Sequence, residues 1–267
     1  MSTKNLPLSS ALLSPARFQA IILAAGNGSR FAQAGYTTPK PLLPLGGTPM
    51  TRSVLADLER EFGVVPSAVT VACRTEHSGT FRSALPDGVR LVEIPALTAG
   101  AAVTALACLD GLNLHRPVVI ANSDQQFRLD EDTRRHVRQL FCVSAAAGFL
   151  LTMPAPTDPE QQKKWSYAIP SPRGTVSRVI EKPACAPSNH ATIGVYAYRS
   201  PGHAQLAIER MIEADDRTNG EFYLAPAFNH LRQELEGYVY AFDVERFVPL
   251  GTPEDYEAAV GSVRADP

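Results

Sequence analysis

The stretch ILAAGNGSRFAQAGYTTPKPLLP, residues 22–44, joins an apolar run to a glycine-containing loop. The run FQAIILAAG has the unbroken apolar composition of a strand that is buried on both faces of a parallel sheet. Gly26 and Gly28 follow, and glycines there let backbone N–H groups approach an anion without a Cβ in the way. Arg30 and Lys40 add two positive charges, the second between two prolines. The stretch therefore predicts a loop that holds phosphate groups.

Two common phosphate motifs do not fit this loop. A dinucleotide fingerprint needs a third glycine at position 31, where the chain has Phe31. A Walker A loop needs Gly-Lys followed by Ser or Thr after a four-residue gap, and that spacing is also absent. A nicotinamide dehydrogenase is therefore disfavoured, and the loop is better explained as a cradle for a triphosphate.

Outward from this loop, strand-like and helix-like segments alternate as far as residue 153. The strand-like segments are AVTVAC, VRLVEI, RPVVIANSDQ and SAAAGFLLTM. The helix-like segments are 50–62, GAAVTALACLDGL and DEDTRRHVRQLF. This alternation predicts an α/β fold: a Rossmann-like three-layer αβα sandwich whose central sheet is mixed and mostly parallel.

The second half has a different pattern of elements. It begins with a predicted hairpin, WSYAIPSPRGTVSRVIEKP, followed by the strand HATIGVYAYRS and the helix GHAQLAIERMIEA. A long helix is predicted over GEFYLAPAFNHLRQELEG, then the strand YVYAFDV and the helix TPEDYEAAVGSVR. We expect residues 1–16 to form a loose tail and residues 17–263 a single domain. Its first half, 17–153, would bind the nucleotide, and 154–263 would form the rest of the site.

Composition excludes several classes of protein. The chain has 267 residues, 45% of them hydrophobic and 19% charged, which suits a sizeable core. A formal net charge of -2 gives no basic field for nucleic acid. No apolar run approaches the ~20 residues of a membrane span. The four cysteines are widely spaced and are expected to be buried thiols in the cytoplasm.

Several motifs, taken in order, resemble those of the sugar-nucleotide pyrophosphorylase, or NTP-transferase, superfamily. They are LAAGNGSRF, TTPKPLLPLGGTPM, LTAGAAVTAL, VIANSDQQF, VIEKP, ATIGVYAYRS and FVPLGTPEDY, and they span about residues 18–260. AGYTTPKPL, IANSDQ and NGEFYLAP are similar to a branch associated with capsule and surface-polysaccharide synthesis. The resemblance implies a GT-A-like nucleotidyltransferase fold and an enzyme that joins an NTP to a phosphorylated small molecule and releases pyrophosphate. We expect it in the cytoplasm, because prolines and serines interrupt the apolar part of residues 1–16, which therefore resemble a tail more than a signal peptide.

The resemblance implies roles for the first half of the chain. Arg30 and Lys40 would neutralise the phosphates, and Asp124, at the end of a buried strand, would hold Mg²⁺. The acceptor phosphate is already largely ionised near neutral pH, so no general base is required. The remaining nucleotide-binding candidates are Ala24, Ala25, Gly26, Gly28, Thr98, Gly100, Asn122 and Ser123. Of these, Gly100 would open a helix whose backbone donors face the nucleotide.

The second half would bind the acceptor. Lys182 would grip its phosphate, Glu181 its hydroxyls, and Gly194 would let it approach the backbone. Three further polar or aromatic candidates lie in the segment RTNGEFYLAP, namely Asn219, Glu221 and Tyr223. Ordinary helix N-terminal chemistry explains Glu221 almost as well. Trp165 and Tyr167 would either pack in the core or stack on the acceptor.

One position departs from the family pattern. Many members carry a second Asp just before the Gly-Thr of the last strand, where this chain has Pro249 or Leu250. Asp243 or Glu245 could replace it, the metal could rely on Asp124 with phosphates and water, or activity could be lost. The last case gives the rival hypothesis of a non-catalytic nucleotide-binding protein. The sequence leaves open the base, the acceptor and whether the protein is a monomer or a dimer.

Overall fold

A nine-stranded sheet forms the centre of the computed structural model, which describes residues 17–234 and 237–265. Within these residues the strands are β1 Gln19–Ala24, β2 Pro44–Leu45, β3 Thr48–Pro49, β4 Val69–Arg74, β5 Arg90–Ile94, β6 Val118–Asn122, β7 Gln125–Arg128, β8 Ala146–Met153, β9 Ser166–Pro170, β10 Val176–Glu181, β11 Ala191–Tyr198, β12 Tyr238–Asp243 and β13 Arg246–Pro249. The helices are α1 Ser29–Gln33, α2 Met50–Phe62, α3 Ser78–Ala84, α4 Ala101–Cys108, α5 Glu131–Val143, α6 Pro159–Gln162, α7 Pro201–Glu213, α8 Ala227–Glu234 and α9 Pro253–Ala265. The predicted tail, 1–16, lies outside the described residues.

The main path through the sheet is β5-β4-β1-β6-β11-β8-β12, and only β11 runs against the others. The β9–β10 hairpin joins β11 through one pairing, Ala191 with Tyr167. Outside this sheet, β2 pairs with β3 and β7 pairs with β13. The prediction of a mixed, mostly parallel sheet is confirmed.

Helices cover both faces of the sheet because successive strand residues point to opposite sides. Ile22 packs on the side of α2, α3 and α5, whereas Ile21 packs on the side of α4, α7 and α8. This is the predicted three-layer arrangement. A smaller third cluster joins Phe31 of α1 to Leu250 and to Tyr256 of α9, and so brings the end of the chain against the glycine loop.

The candidate site residues lie along one edge of the sheet. The parallel strands β1, β4 and β6 end there at Ala24, Arg74 and Asn122. Antiparallel β11 begins at the same edge with Ala191. Ligands of open α/β sheets bind outside the carboxyl ends of the strands, so this edge is where the site is expected.

Most predicted elements are confirmed, and α2 has the predicted bounds, but two helices are shorter than predicted. The helix predicted over 220–237 begins only at Ala227, directly after Pro226, because the preceding residues form a tight turn. The helix predicted over 100–112 ends at Cys108, and Gly111 beyond it has a φ of +75°. The small β7–β13 sheet was not predicted, because four-residue strands carry too little periodicity.

Two further predictions concern the burial of the cysteines and the lack of a membrane-spanning segment. Cys73 and Cys108 are buried, and burial raises the pKa of their thiols to about 11 and about 12. Cys142 and Cys185 are exposed, so the prediction of buried thiols is wrong for these two. None of the helices in the described part of the chain has the length and apolarity that a membrane crossing requires.

Candidate functional site

The glycine loop turns sharply between β1 and α1. Gly28 precedes α1 with a φ of +60°, a left-handed conformation that L side chains rarely adopt. A Cβ there would also lie 3.5 Å from Cβ of Lys40, so Gly28 brings the two ends of the loop together. Gly26 is exposed, with nothing within 4 Å of the place of a Cβ, whereas Ala24 and Ala25 are buried. The open part of the predicted loop therefore begins at Gly26.

Lys40 and Asp124 meet at this edge, although 84 positions separate them in the chain. Nζ of Lys40 donates to Oδ2 of Asp124 at 2.5 Å and to the carbonyl oxygen of Gly251 at 3.3 Å. The two side chains are 17% and 27% exposed, so the pair is accessible from the cleft. Nζ also lies 5.5 Å from the centroid of the Phe31 ring. The structure thus brings together two of the predicted catalytic side chains.

Arg30 lies on α1, at the rim of the cleft. Its side chain is exposed and forms no hydrogen bond or ion pair within residues 17–234 and 237–265. Burial raises the pKa of Tyr223, and the charge of Arg30 acts in the opposite direction. Hydrogen bonding to its own backbone N–H lowers the pKa of Glu254, and Arg30 lowers it further. An uncommitted guanidinium therefore faces the second half of the chain across the cleft.

The end of β13 occupies the place beside Asp124 where a second carboxylate was expected. Pro249 pairs with Gln125, and the N–H of Leu250 donates to the carbonyl oxygen of Asp124 at 2.9 Å. The Leu250 side chain is completely buried. This segment therefore supplies backbone contacts to the site and no metal ligand.

Neither of the two carboxylates suggested as replacements lies beside Asp124. Asp243 accepts a hydrogen bond from Thr152 at 2.7 Å. Glu245 lies 3.8 Å from Arg128. Arg128 is four residues after Asp124 along β7, which at the rise of a strand places it about 13 Å from Asp124. Asp243 and Glu245 are thus engaged with other residues, and a second metal ligand beside Asp124 stays a prediction.

Asp255, a carboxylate that the sequence analysis did not single out, lies near Gly251 on the same side as Asp124. A Cβ built on Gly251 would be 3.6 Å from Oδ2 of Asp124 and 4.0 Å from Oδ2 of Asp255. Asp255 also accepts from the N–H of Thr252 at 3.2 Å, while its own N–H donates to the Thr252 hydroxyl. This reciprocal cap fixes the start of α9. The three-residue spacing of Thr252 and Asp255 was the available signal.

The side chains at this edge of the sheet can be compared with the ligands that a divalent cation requires. Among the described residues, no group of three His, Cys, Asp or Glu side chains is placed to share a metal ion. Mg²⁺ is commonly bound through one or two carboxylates together with substrate phosphates and water. Asp124 alone therefore fits a Mg²⁺ ion that arrives with a triphosphate, and it does not form a metal cage of its own.

A second glycine brings β11 against the end of β6. Gly194 has a φ of +79°, and a Cβ there would lie 2.4 Å from Nδ2 of Asn122. Gln125, which sequence reasoning missed, donates to the Gly194 carbonyl oxygen at 3.2 Å. Ser123 is buried, so Asn122 is the more accessible of the two predicted polar residues.

Of the predicted acceptor residues, Glu181 is the last residue of β10 and Lys182 follows it. Nζ of Lys182 is 2.5 Å from the Tyr223 hydroxyl and 4.2 Å from the centroid of that ring. The Ser166 hydroxyl donates to Oε2 of Glu181. Burial raises the pKa of Glu181, while the hydrogen bond from Ser166 and the charge of Lys182 oppose the rise. Trp165 accepts from the N–H of Lys182 at 3.0 Å and packs edge-on against Phe247.

Asn219 has a conformational role. Asn219 and Gly220 both have positive φ, +50° and +80°, and the residues on either side, Thr218 and Glu221, exchange two backbone hydrogen bonds of 3.0 Å. Such a turn needs two left-handed residues, which Asn-Gly supplies. Glu221 is exposed, as Asn219 is, and Tyr223 is half-buried, and acceptor binding by these three residues stays a prediction.

The backbone of Phe222 covers the start of α4. Its N–H donates to Ala99 and its carbonyl oxygen accepts from Ala102, at 2.9 and 3.0 Å. A Cβ on Gly100 would lie 2.5 Å from this backbone, so close packing already requires a glycine. The Thr98 hydroxyl donates to the Gly100 carbonyl oxygen at 2.9 Å. The N–H of Ala102 is therefore already bonded within the protein, and the contact of Gly100 with a nucleotide stays a prediction.

The comparisons with known proteins agree with the fold. The family profile described as nucleotidyl transferase matches residues 19–261. A nucleoside-diphosphate-sugar pyrophosphorylase from Vibrio cholerae has a TM-score of 0.72 at 20% identity, over 90% of this chain and 99% of its own. A UDP-glucose pyrophosphorylase solved with UDP-glucose has a TM-score of 0.72 at 17% identity, over 94% and 100%. The inositol-1-phosphate CTP transferase from T. maritima has 0.70 at 15%, over 94% and 98%. No curated protein matches the sequence.

Proposed function

The chain belongs to the nucleotidyl transferase family, and we propose that it transfers the NMP group of an NTP to a phosphorylated small molecule, with release of pyrophosphate. The acceptor is a sugar phosphate or a related phosphate ester. The product is an activated, nucleotide-linked precursor, and we assign it to surface-polysaccharide synthesis in the cytoplasm. The contact between Lys40 and Asp124 at the carboxyl edge of the sheet is the observation that carries the proposal.

The proposed reaction is an in-line attack of an acceptor phosphate oxygen on the α-phosphorus. A phosphate monoester has a second pKa of about 6, so the attacking oxygen carries its charge near neutral pH. Catalysis then depends on positioning and on neutralising the phosphates. Lys40 and the exposed, uncommitted Arg30 supply positive charge on the side of the glycine loop.

Asp124 is the side chain proposed to hold Mg²⁺, with phosphates and water as the other ligands. When bound, the ion would neutralise charge on the triphosphate. Asp124 is paired with Lys40 at 2.5 Å. We infer that Lys40 moves from the carboxylate to the phosphates when a nucleotide enters, because a phosphate carries more negative charge than the carboxylate.

On the acceptor side, Lys182 is proposed to bind the acceptor phosphate and Glu181 its hydroxyl groups. The φ of Lys182 is +44°, a conformation that is unfavourable for a lysine. Backbone strain of this kind is typical of functional positions, where the surrounding structure enforces it. The contact of Nζ with the Tyr223 hydroxyl keeps the ammonium group at the cleft rather than in solvent.

A panel of four NTPs against phosphorylated sugars and amino-alcohols, with Mg²⁺, would test the proposal by pyrophosphate release. Release is expected with one NTP and one acceptor class, and Lys40→Met should reduce it by at least about 100-fold, as expected for lost charge stabilisation of a transition state. Lys163→Met is the matched control, because Lys163 is exposed and pairs with Glu160 at 2.6 Å. Tight NTP binding without release for any acceptor would favour the rival, non-catalytic function.

A further inference from the structure

Arg74 lies at the catalytic edge and has no part in the site described so far. It is the last residue of β4, where it pairs with Ile94 of β5. The preceding residue, Cys73, pairs with Ala24 of β1. Arg74 therefore stands beside Ala25, between the glycine loop and the loop that follows Ile94.

The alternation of β4 decides which way the side chain extends. Ala72 belongs to the buried cluster that contains Ala25, Ile94 and Ala102 of α4. Residues two apart on a strand share a face. Arg74 therefore extends on the side of α4, towards the cleft between the glycine loop and residues 95–100.

The guanidinium group of Arg74 is only partly satisfied by the protein. Its side chain is 19% exposed, and Nε donates to Oε1 of Glu76 at 3.1 Å. Nη1 is buried and has no hydrogen-bond partner among the described residues. Burying a charged donor without a partner is unfavourable, and buried polar groups in folded proteins are almost always bonded. Nη1 is therefore a donor that the described part of the protein leaves without a partner, and Nε is the guanidinium donor for which a hydrogen bond is seen.

We propose that Arg74 reads the base of the nucleotide; this inference rests on the proposed function. A guanidinium offers donors only, in a fixed fork, so it matches a base edge with two adjacent acceptors. Cytosine has such an edge in O2 and N3, and guanine has one in O6 and N7. Uracil and thymine have an N–H donor between their two carbonyl oxygens, and adenine has an amino donor beside N7. The substrate is therefore CTP or GTP.

Calorimetric titration with CTP, GTP, UTP, dTTP and ATP, without acceptor, tests this inference. One of the first two should bind about 5- to 100-fold more tightly than the other four, the range expected for a bidentate contact. Arg74→Met should remove that preference and leave the weaker nucleotides unchanged. Arg82→Met is the control, because Arg82 is 66% exposed on α3 and contacts Glu93 at 3.4 Å.

Two further measurements separate the possible failures. Inorganic tripolyphosphate probes the phosphate loop alone, and its binding should be unchanged in Arg74→Met. Binding of tripolyphosphate without binding of any NTP would overturn the proposed function. Binding of UTP, dTTP or ATP in preference, or an equal loss for all five nucleotides in Arg74→Met, would overturn only the role of Arg74. Arg74→Lys keeps the charge without the fork and decides the matter if the Met variant does not fold.

Discussion

Replacing Gly194 by alanine tests the packing of β11 against β6. The left-handed backbone, with φ +79°, costs an alanine about 1–2 kcal/mol. The new Cβ would lie 2.4 Å from Nδ2 of Asn122 and 3.0 Å from Oε1 of Gln125, which adds about 1–3 kcal/mol of overpacking. We therefore expect the free energy of unfolding to fall by about 2–5 kcal/mol in total, the sum of these two contributions.

Urea unfolding followed by circular dichroism measures this loss. Gly174→Ala is the matched control, because Gly174 has a φ of +75° and nothing within 4 Å of the new Cβ. It should lose only the backbone contribution of about 1–2 kcal/mol. Adding Asn122→Ala to Gly194→Ala removes the crowded amide and should recover part of the difference. Equal losses at the two glycines, or no recovery in the double variant, would refute the reasoning.

Three further predictions concern the charged groups. Asp124→Asn should abolish pyrophosphate release while the circular dichroism spectrum stays unchanged, and near-normal rates in this variant would remove the metal assignment. Lys182→Ala should raise KM for the acceptor more than KM for the nucleotide, whereas an effect on the nucleotide alone would reverse its role. Burial raises the pKa of Glu181, so the folded protein binds this proton more tightly than the unfolded chain and loses stability as pH rises from the ordinary carboxyl range through the raised pKa. Glu181→Gln should therefore gain stability over the wild type with rising pH, and parallel pH profiles of the urea midpoint would contradict this.

The sequence predicted the sheet, the glycine loop and the positions of Lys40 and Asp124, because buried strands and left-handed glycines leave strong local patterns. Whether these two side chains would meet was decided by β1 and β6 lying next to each other in the sheet. Strand order is a long-range property that no local pattern encodes.

The sequence was a poorer guide where a residue's backbone, rather than its side chain, determines its role. Asn219 and Gly100 were predicted to contact ligands, and the structure adds a backbone role that was not predicted, a turn for one and close packing for the other. Their ligand contacts stay predictions. Asp255 was overlooked although its spacing from Thr252 was a readable signal, because its place near Asp124 depends on the pairing of β13 with β7. Arg74 drew no attention because an arginine after a strand is common.

The contact of Lys40 with Gly251 joins two residues that the ribosome synthesises at well-separated times. The two residues are 211 positions apart, so a ribosome makes them about 10–40 s apart at ordinary elongation rates. During that interval the emerging chain carries the phosphate loop without the segment that closes it. We therefore expect a chain truncated before Gly251 to bind nucleotides more weakly, since it lacks the carbonyl oxygen that accepts from Lys40.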